Sequence, residues 1–526
     1  MGVYWLSALI FTPLLGALFV LVQPEARATW RAAFIFSLLP LAISFYLFAA
    51  FDPTQAGYQF VERAQWIPEF GISYHLGADG ISLFLVLLTT ILFTLSLLYS
   101  GGGDIETRPR EFCFFMLLLE TGLLGALLAI DLFLFYVFWE VMLIPMYFLI
   151  GIWGHGRKVY AAFKFILYTM LGSILMLVAI LYLVAAARAH LGHLSFDLPD
   201  LYGVPLSHEA ARWLFAAFAL AFAIKVPMWP VHTWLPDAHT EAPTAGSVIL
   251  AGVMLKMGTY GFLRFAIPLF PEVAVEAAPL FLALAVVGII YGALVAMVQP
   301  DLKRLVAYSS VSHLGFVMLG IFALDPQGME GALYQMLNHG VSTGALFLLV
   351  GMIYLRRHTR EISEFGGLWH SVPIFAGVFM VVMLSSIGLP GLNGFVGEFL
   401  ILLGTYLSQS LAAALGVLGL ILGALYMLYA YERVMFGPIK KAVNATIRDL
   451  GAREIAVLAP LIALMLFMGL YPRPLLSRME PSVNAVLGRV RVAQARLERE
   501  RRPRALAALL ESPSAARSAR VSMAAK

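Results

Sequence analysis

The sequence predicts an all-α polytopic membrane protein of about fourteen transmembrane helices, with two inverted five-helix repeats that each contain a broken helix. Three observations carry that prediction. Of the 526 residues, 61% are hydrophobic and 13% charged, and mean hydropathy is +0.86, which leaves too little polar surface to clothe a soluble globule. Apolar runs of at least ~18 residues, the length that crosses a bilayer, fill nearly everything up to Tyr471. Two of those runs are interrupted by helix breakers: Pro227 and Pro230 within 210–238, and Gly388, Pro390, Gly391 and Gly394 within 373–408.

Taken in order, the first run, Tyr4 to Val22, is too long for a signal-peptide core, follows no basic residue and precedes no small-residue cleavage site, so a retained helix is expected. Residues 1–111 hold the first three helices and an extramembrane segment, 51–77, whose turn formers and aromatics (Tyr58, Phe60, Trp66, Tyr74) suggest a hairpin. Residues 112–268 and 277–436 form the two repeats. Because an odd number of helices, five, separates the two interruptions, the units are inverted, and paired interruptions of this kind build half-channels. Backbone groups freed at the breaks call for side chains or water, so hydrated cavities are expected there. A loop and the last helix take 437–474. The tail, 475–526, is basic, helical in pattern to about Leu510 and then rich in Ser and Ala, which suits disorder. Anionic lipid, a partner subunit or plain solvent all remain open as its surroundings.

Charge sets the orientation. With the N-terminus outside, the cytoplasmic loops (24–31, 100–111, 154–164, 299–304, 356–371, 432–453) hold most of the Lys and Arg found outside the helices and the tail, while the opposite side holds only Arg63, Arg188, Arg212 and Arg264. Composition also excludes function classes. A single cysteine, Cys113, rules out a disulfide framework or a cysteine-ligated iron–sulfur cluster carried by this chain alone. There is no Walker loop, and Gly101 to Gly103 lies in a polar loop without the context of a dinucleotide fingerprint. No cofactor is expected on this chain and no nucleic-acid partner.

The chemistry lies in ionisable residues inside the apolar runs. Glu140 follows the helix-boundary residue Asp131 by nine positions, which at ~1.5 Å per residue puts it ~13 Å deep. Lys225 precedes the first break, Lys256 is central in the helix opening at Pro243, His313 and His339 are central in theirs, and Glu398 follows the second break. Each central charge costs roughly 2.5–3.5 kcal/mol to insert, and four cost on the order of 10 kcal/mol. A fold carries that only by pairing, wetting or using them. A static Glu140–Lys225 bridge is the bland alternative, and unpaired Lys256 and Glu398 speak against it. For His313 and His339 the bland alternative is helix packing with a bond to a neighbouring carbonyl, and their separate helices make a metal site a poor fit. His232, Asp237, His239 and Glu241 are assigned to capping and solvation, and Trp139, Trp229 and Trp234 to packing or the membrane interface. Burial disfavours a charged lysine, whereas a carboxylate ~4 Å away at an effective dielectric of ~20 favours it by ~4 kcal/mol. Moving Glu140 toward or away from Lys225 would therefore toggle the lysine's protonation.

The run from Lys225 through Pro227, Trp229, Pro230, His232, Trp234, Pro236, Asp237, His239 and Glu241 to Pro243, with Trp139-Glu140, Lys256-Met-Gly-Thr-Tyr-Gly261 and Tyr308-Ser-Ser-Val-Ser-His-Leu-Gly315, resembles the antiporter-like proton-pumping subunits of respiratory complex I over roughly residues 75–440. The resemblance implies fourteen helices. It also implies that Glu140 pairs with Lys225, that Lys256 lies between the half-channels and that His313 and His339 share its hydrophilic axis. Related L-type and N-type subunits and Mrp sodium/proton antiporters place a lysine where this chain has Glu398, so the chain looks like the M-type branch, the counterpart of subunit 4 in mitochondria. By the same resemblance NADH, FMN, iron–sulfur clusters and quinone sit on partner subunits, the neighbours are L-type and N-type subunits and lipid, and the location is a bacterial inner membrane. An Mrp-type antiporter subunit, or a ferredoxin-linked photosynthetic homologue of the complex, is the alternative. The basic tail departs from the family pattern.

Overall fold

The computed structural model describes residues 4–510, with side chains through 499. Helices α1 (Trp5–Leu21) and α2 (Ala26–Ala50) are followed by the expected hairpin, in which β1 (Gln59–Ile67) pairs antiparallel with β2 (Ile72–Ala78) and Arg63 opposes His75. Its turn passes through Gly71 at φ +68°, where a Cβ would lie 2.0 Å from the Leu194 carbonyl oxygen, so only glycine fits. Glu62 on β1 accepts from the Leu6 backbone N–H (2.7 Å) and so pins the start of α1.

The next series comprises α3 (Ser82–Ser100), α4 (Pro109–Leu128), α5 (Leu132–Trp153), α6 (Lys158–Leu191), α7 (His208–Lys225), the short α8 (Trp234–Glu241) and α9 (Thr244–Leu269). It is succeeded by α10 (Pro271–Met297), α11 (Leu302–Phe322), α12 (Pro326–Arg357), α13 (Pro373–Ser386), α14 (Asn393–Ser408), α15 (Ser410–Met435), α16 (Ala452–Leu470) and α17 (Arg473–Leu510). Among the described residues, 11 helices are long and apolar enough to cross a membrane, and α1 and α13 are shorter apolar helices. Both breaks fall where Pro and Gly forbid helix: between α7 and α8, and between α13 and α14, where Gly388 and Gly391 adopt φ of +75° and +93°.

Helices α4–α9 and α10–α15 repeat one plan. In each series the second helix starts on an aspartate cap: Asp131 accepts from Phe133 and Leu134 N–H, and Asp301 from Arg304 N–H. In each, the chain beside that cap pairs with the loop after the third helix. Leu132 N–H donates to Phe196 O (2.8 Å) and Leu198 N–H to Ile130 O (3.0 Å), while Leu302 N–H donates to Arg360 O (3.0 Å) and Ile362 N–H to Pro300 O (2.9 Å).

Burial ranks the helices. The apolar stretches of α9 and α12 are 100% buried and that of α11 89%, against 28% for α2 and α16. A charged group on the first three is screened from lipid by protein on all sides.

Two expectations are corrected. Arg264 is not a loop residue: it lies buried in α9 and donates to Asp79 Oδ1 (2.5 Å), a partner that makes the position tolerable. The tail is not a frayed end over its described part. Helix α17 buries Met479, Val483, Leu487 and Val490, one stripe at helical spacing, against the bundle. Ser482 Oγ accepts from Gly80 N–H (2.9 Å), Arg489 lies 3.7 Å from the Tyr202 ring centre and Arg496 pairs with Glu272 (3.0 Å). The Ser/Ala-rich end beyond Leu510 lies outside the described residues.

Candidate functional site

Four of the six ionisable residues singled out in the sequence form one buried row. Lys256 sits in α9 between two π-helical turns, Leu250–Met254 and Phe262–Ala266, widened turns that recur at functional sites. Its Nζ donates to Ala251 O (2.5 Å) and lies 2.5 Å from His339 Nδ1 on α12. The His339 and His313 rings are 5.9 Å apart, centre to centre, and His313 Nδ1 on α11 is 3.4 Å from Glu398 Oε1 on α14. Glu398 Oε1 also accepts from Gln335 Nε2 (3.1 Å), whose Oε1 accepts from Asn338 Nδ2 (2.8 Å). Lys256 and Glu398 are therefore partnered, contrary to the expectation that they stand alone.

The second break shapes the far end of this row. A Cβ at Gly388 would lie 2.4 Å from Glu398 Oε2, so the missing side chain is what admits the carboxylate. Below it Ser342 and Ser385 hydroxyls are 2.7 Å apart, and Ser385 Oγ donates to Asn393 Oδ1 (2.5 Å). The adjoining cavity, lined by His313, His339, Asn338, Ser342, Ser385 and Gly394, has about 10 Å³ of free volume, room for about one water. Gln335 and Asn338 side chains line this small space at the second break.

Lys225 and Glu140 form a separate pair. Lys225 ends α7, is 1% exposed and has no hydrogen-bond partner; its Nζ lies 5.4 Å from the ring centres of Trp139 and Phe165. No ion pair within 4.0 Å joins it to Glu140 among the described residues. Glu140 Oε1 is buried without a partner. The static bridge is thus absent among the described residues. Between the pair and the row, α9 reaches α7 through Gly258 and Gly261, where a Cβ would lie 2.6 Å from Phe222 O and 2.4 Å from the Phe222 ring. This is why the Lys256 motif carries those glycines.

His239 contradicts its assignment to solvation. It is 0% exposed, stacks at 4.7 Å on Phe347, and neither ring nitrogen has a partner. Together with Lys303, which is buried and donates to Ala242 O (2.5 Å), it extends the polar groups toward the loops at 100–111 and 299–304. Asp237 pairs with Lys164 (2.7 Å). In the loop after α3, Asp104 is also buried: burial pushes its carboxyl up to about 6, against Lys303 and the Thr244 hydroxyl, which pull it down. Lys303, Gln335, Asn338 and Asn393 carried no signal in sequence, since a polar residue near a helix end or on an otherwise mixed face is ordinary.

Two helix series of one plan, each with a broken helix and with a Lys–His–His–Glu row between them, define an antiporter-like membrane subunit. The family described as NADH:quinone oxidoreductase/Mrp antiporter, transmembrane region, matches residues 129–423. The chain is 47% identical over 492 residues to the NADH-quinone oxidoreductase subunit M of Rhodobacter capsulatus, covering 91% of this chain and 95% of the relative. It is 44% identical over 521 residues to the protein of the same name in Mycobacterium tuberculosis strain H37Rv (92% and 94%). Among solved structures, a chain of respiratory complex I from Thermus thermophilus superposes with a TM-score of 0.84 at 35% identity, covering 92% of this chain and 99% of that one. A chain of the Mrp complex from Dietzia sp. shares the fold, with a TM-score of 0.82 at 23% identity and coverage of 93% and 99%. The chain belongs to the NADH:quinone oxidoreductase/Mrp antiporter family, in its subunit M group.

Proposed function

We propose that this chain is a proton-translocating subunit in the membrane arm of an NADH:quinone oxidoreductase of a bacterial inner membrane. The observation that carries the reading is the row Lys256–His339–His313–Glu398. A proton on Lys256 passes to His339, whose Nδ1 lies 2.5 Å from Lys256 Nζ, then to the facing His313 ring, and is accepted by Glu398. Uptake runs from the cytoplasmic side past Lys303 and His239, and release runs from Glu398. Glu140, by approaching or leaving unpartnered Lys225, sets the charge that the rest of the row senses. The paired aspartate caps and β-bridges support two inverted repeats of five passages, 112–268 and 277–436. With α1, and with α7–α8 and α13–α14 each counted as one crossing, they support fourteen crossings in all.

The chain does no redox chemistry on this reading. Among the described residues no group of three or more His, Cys, Asp or Glu is gathered to hold a metal, and Cys113 is buried and solitary. NADH, FMN, iron–sulfur clusters and quinone are assigned to partner subunits on the strength of the family resemblance, with L-type and N-type subunits and lipid as neighbours. Replacing Glu140→Ala in the assembled complex is expected to abolish coupled pumping and lower quinone reduction, measured as proton uptake and NADH oxidation by membrane vesicles. A full proton-to-electron ratio in that variant overturns the assignment, and normal pumping by Lys225→Ala would make the chain a scaffold.

A further inference from the structure

Outside the row lies a groove of about 530 Å³ between α7 and α10. Its walls are apolar (Phe215, Ala219, Ala223, Leu280, Leu284), and its floor is Trp229 and Pro230 of the first break. The mouth is charged. Arg212 donates to Glu276 Oε2 from Nη2 (3.0 Å) and Nε (3.3 Å), and His208 Nε2 lies 3.2 Å from the same oxygen. Trp213, 72% exposed beside them, marks the level of the headgroups, where tryptophan concentrates.

We infer that this groove holds one acyl chain of a zwitterionic phospholipid, with its phosphate at Arg212 and its ammonium at Glu276. Dimensions favour this occupant. From Arg212 to Ala223 the groove runs ~16 Å at ~1.5 Å per residue, matching the ~15 Å of one leaflet of a ~30 Å hydrocarbon core. The charge pattern agrees: an Arg–Glu pair offers one cation and one anion, the complement of a headgroup carrying both. Both Arg212 hydrogen bonds and the His208 contact fall on Oε2, leaving Glu276 Oε1 for an outside donor. Chemistry at the floor permits it too. Pro227 and Pro230 have no N–H, and Ile224 O accepts from Trp234 Nε1 (2.9 Å), so a hydrocarbon chain lies against the break without stranding those groups. The lipid would seal the broken helix beside Lys225 from the bilayer.

The test uses membrane vesicles containing the full chain in its native assembly, fused with phosphatidylethanolamine or phosphatidylglycerol bearing a photoactivatable diazirine on the acyl chain, then irradiated and mapped by mass spectrometry. The ethanolamine probe is expected to label the segments 215–231 and 273–284 at least fivefold above the bilayer-facing residues Leu167 and Leu171 of α6, and Ala219→Trp is expected to remove that excess. Equal labelling of groove and α6 overturns the site. Equal labelling by the two probes overturns the headgroup assignment. A photoactivatable leucine in place of Ala219 is expected to capture lipid; capture of another polypeptide overturns the occupant and does not depend on the tryptophan variant folding.

Discussion

Glycine 388 offers a test that leaves every titratable group in place. In Gly388→Ala the new methyl would lie 2.4 Å from Glu398 Oε2, so the carboxylate must swing aside. The obstructing atom is the tip of a flexible side chain, so the fold tolerates the change. The residue at φ +75° pays about 1–2 kcal/mol of backbone strain. Displacement disturbs the 3.1 Å bond from Gln335 and the 3.4 Å approach of His313. A hydrogen bond to a charged group contributes about 1.5–3 kcal/mol, and at 1.4 kcal/mol per decade its loss predicts a roughly 10- to 150-fold drop in proton transfer to Glu398. Gly391→Ala is the control. Its φ is +93°, but the nearest atom to its Cβ is Leu470 Cδ2 at 4.0 Å, so it carries the same strain and leaves Glu398 alone. Proton uptake by inverted vesicles, normalised to NADH oxidation, is expected to fall at least tenfold in Gly388→Ala and to stay near normal in Gly391→Ala. Equal uptake by the two variants refutes the claim that the carboxylate's position matters.

His239→Phe keeps the ring stacked on Phe347 and removes both nitrogens; proton uptake is expected to fall severalfold with the melting temperature unchanged, and unchanged uptake would reduce His239 to packing. Asp104 is expected to titrate at about 6, seen as a carboxyl infrared band that disappears in Asp104→Asn. Because the folded chain holds that proton to higher pH than the unfolded chain, with its ordinary 3.8, the acid's contribution to stability falls as pH rises from about 4 to about 6. A thermal midpoint whose pH slope over that interval is the same in Asp104→Asn would refute this.

Much of this was legible in order of residues, for identifiable reasons. Apolar runs of bilayer length and Pro or Gly interruptions are local properties, so the helices and both breaks appear where the sequence puts them. The hairpin was signalled by turn formers between aromatics, and the helical part of the tail by its Arg/Leu/Val spacing. Its docking was not legible, because a stripe of Met479, Val483, Leu487 and Val490 looks the same whether it meets solvent, lipid or protein. His239 was misassigned for a related reason: a histidine near a helix end is ordinarily wet, and here Phe347 from a helix more than a hundred residues away covers it.

The sequence by itself determined which groups would be expensive inside a membrane, since the cost of Glu140, Lys225, Lys256, His313, His339 and Glu398 depends only on side chain and depth. Which of them meet was decided by tertiary packing alone. Lys256 touches His339, 83 residues distant, because α9 and α12 are both wrapped on all sides. Lys225, whose Nζ faces the Trp139 and Phe165 rings, makes no ion pair with Glu140 among the described residues. Distance between helices is a property of packed surfaces, which a linear order of residues does not contain.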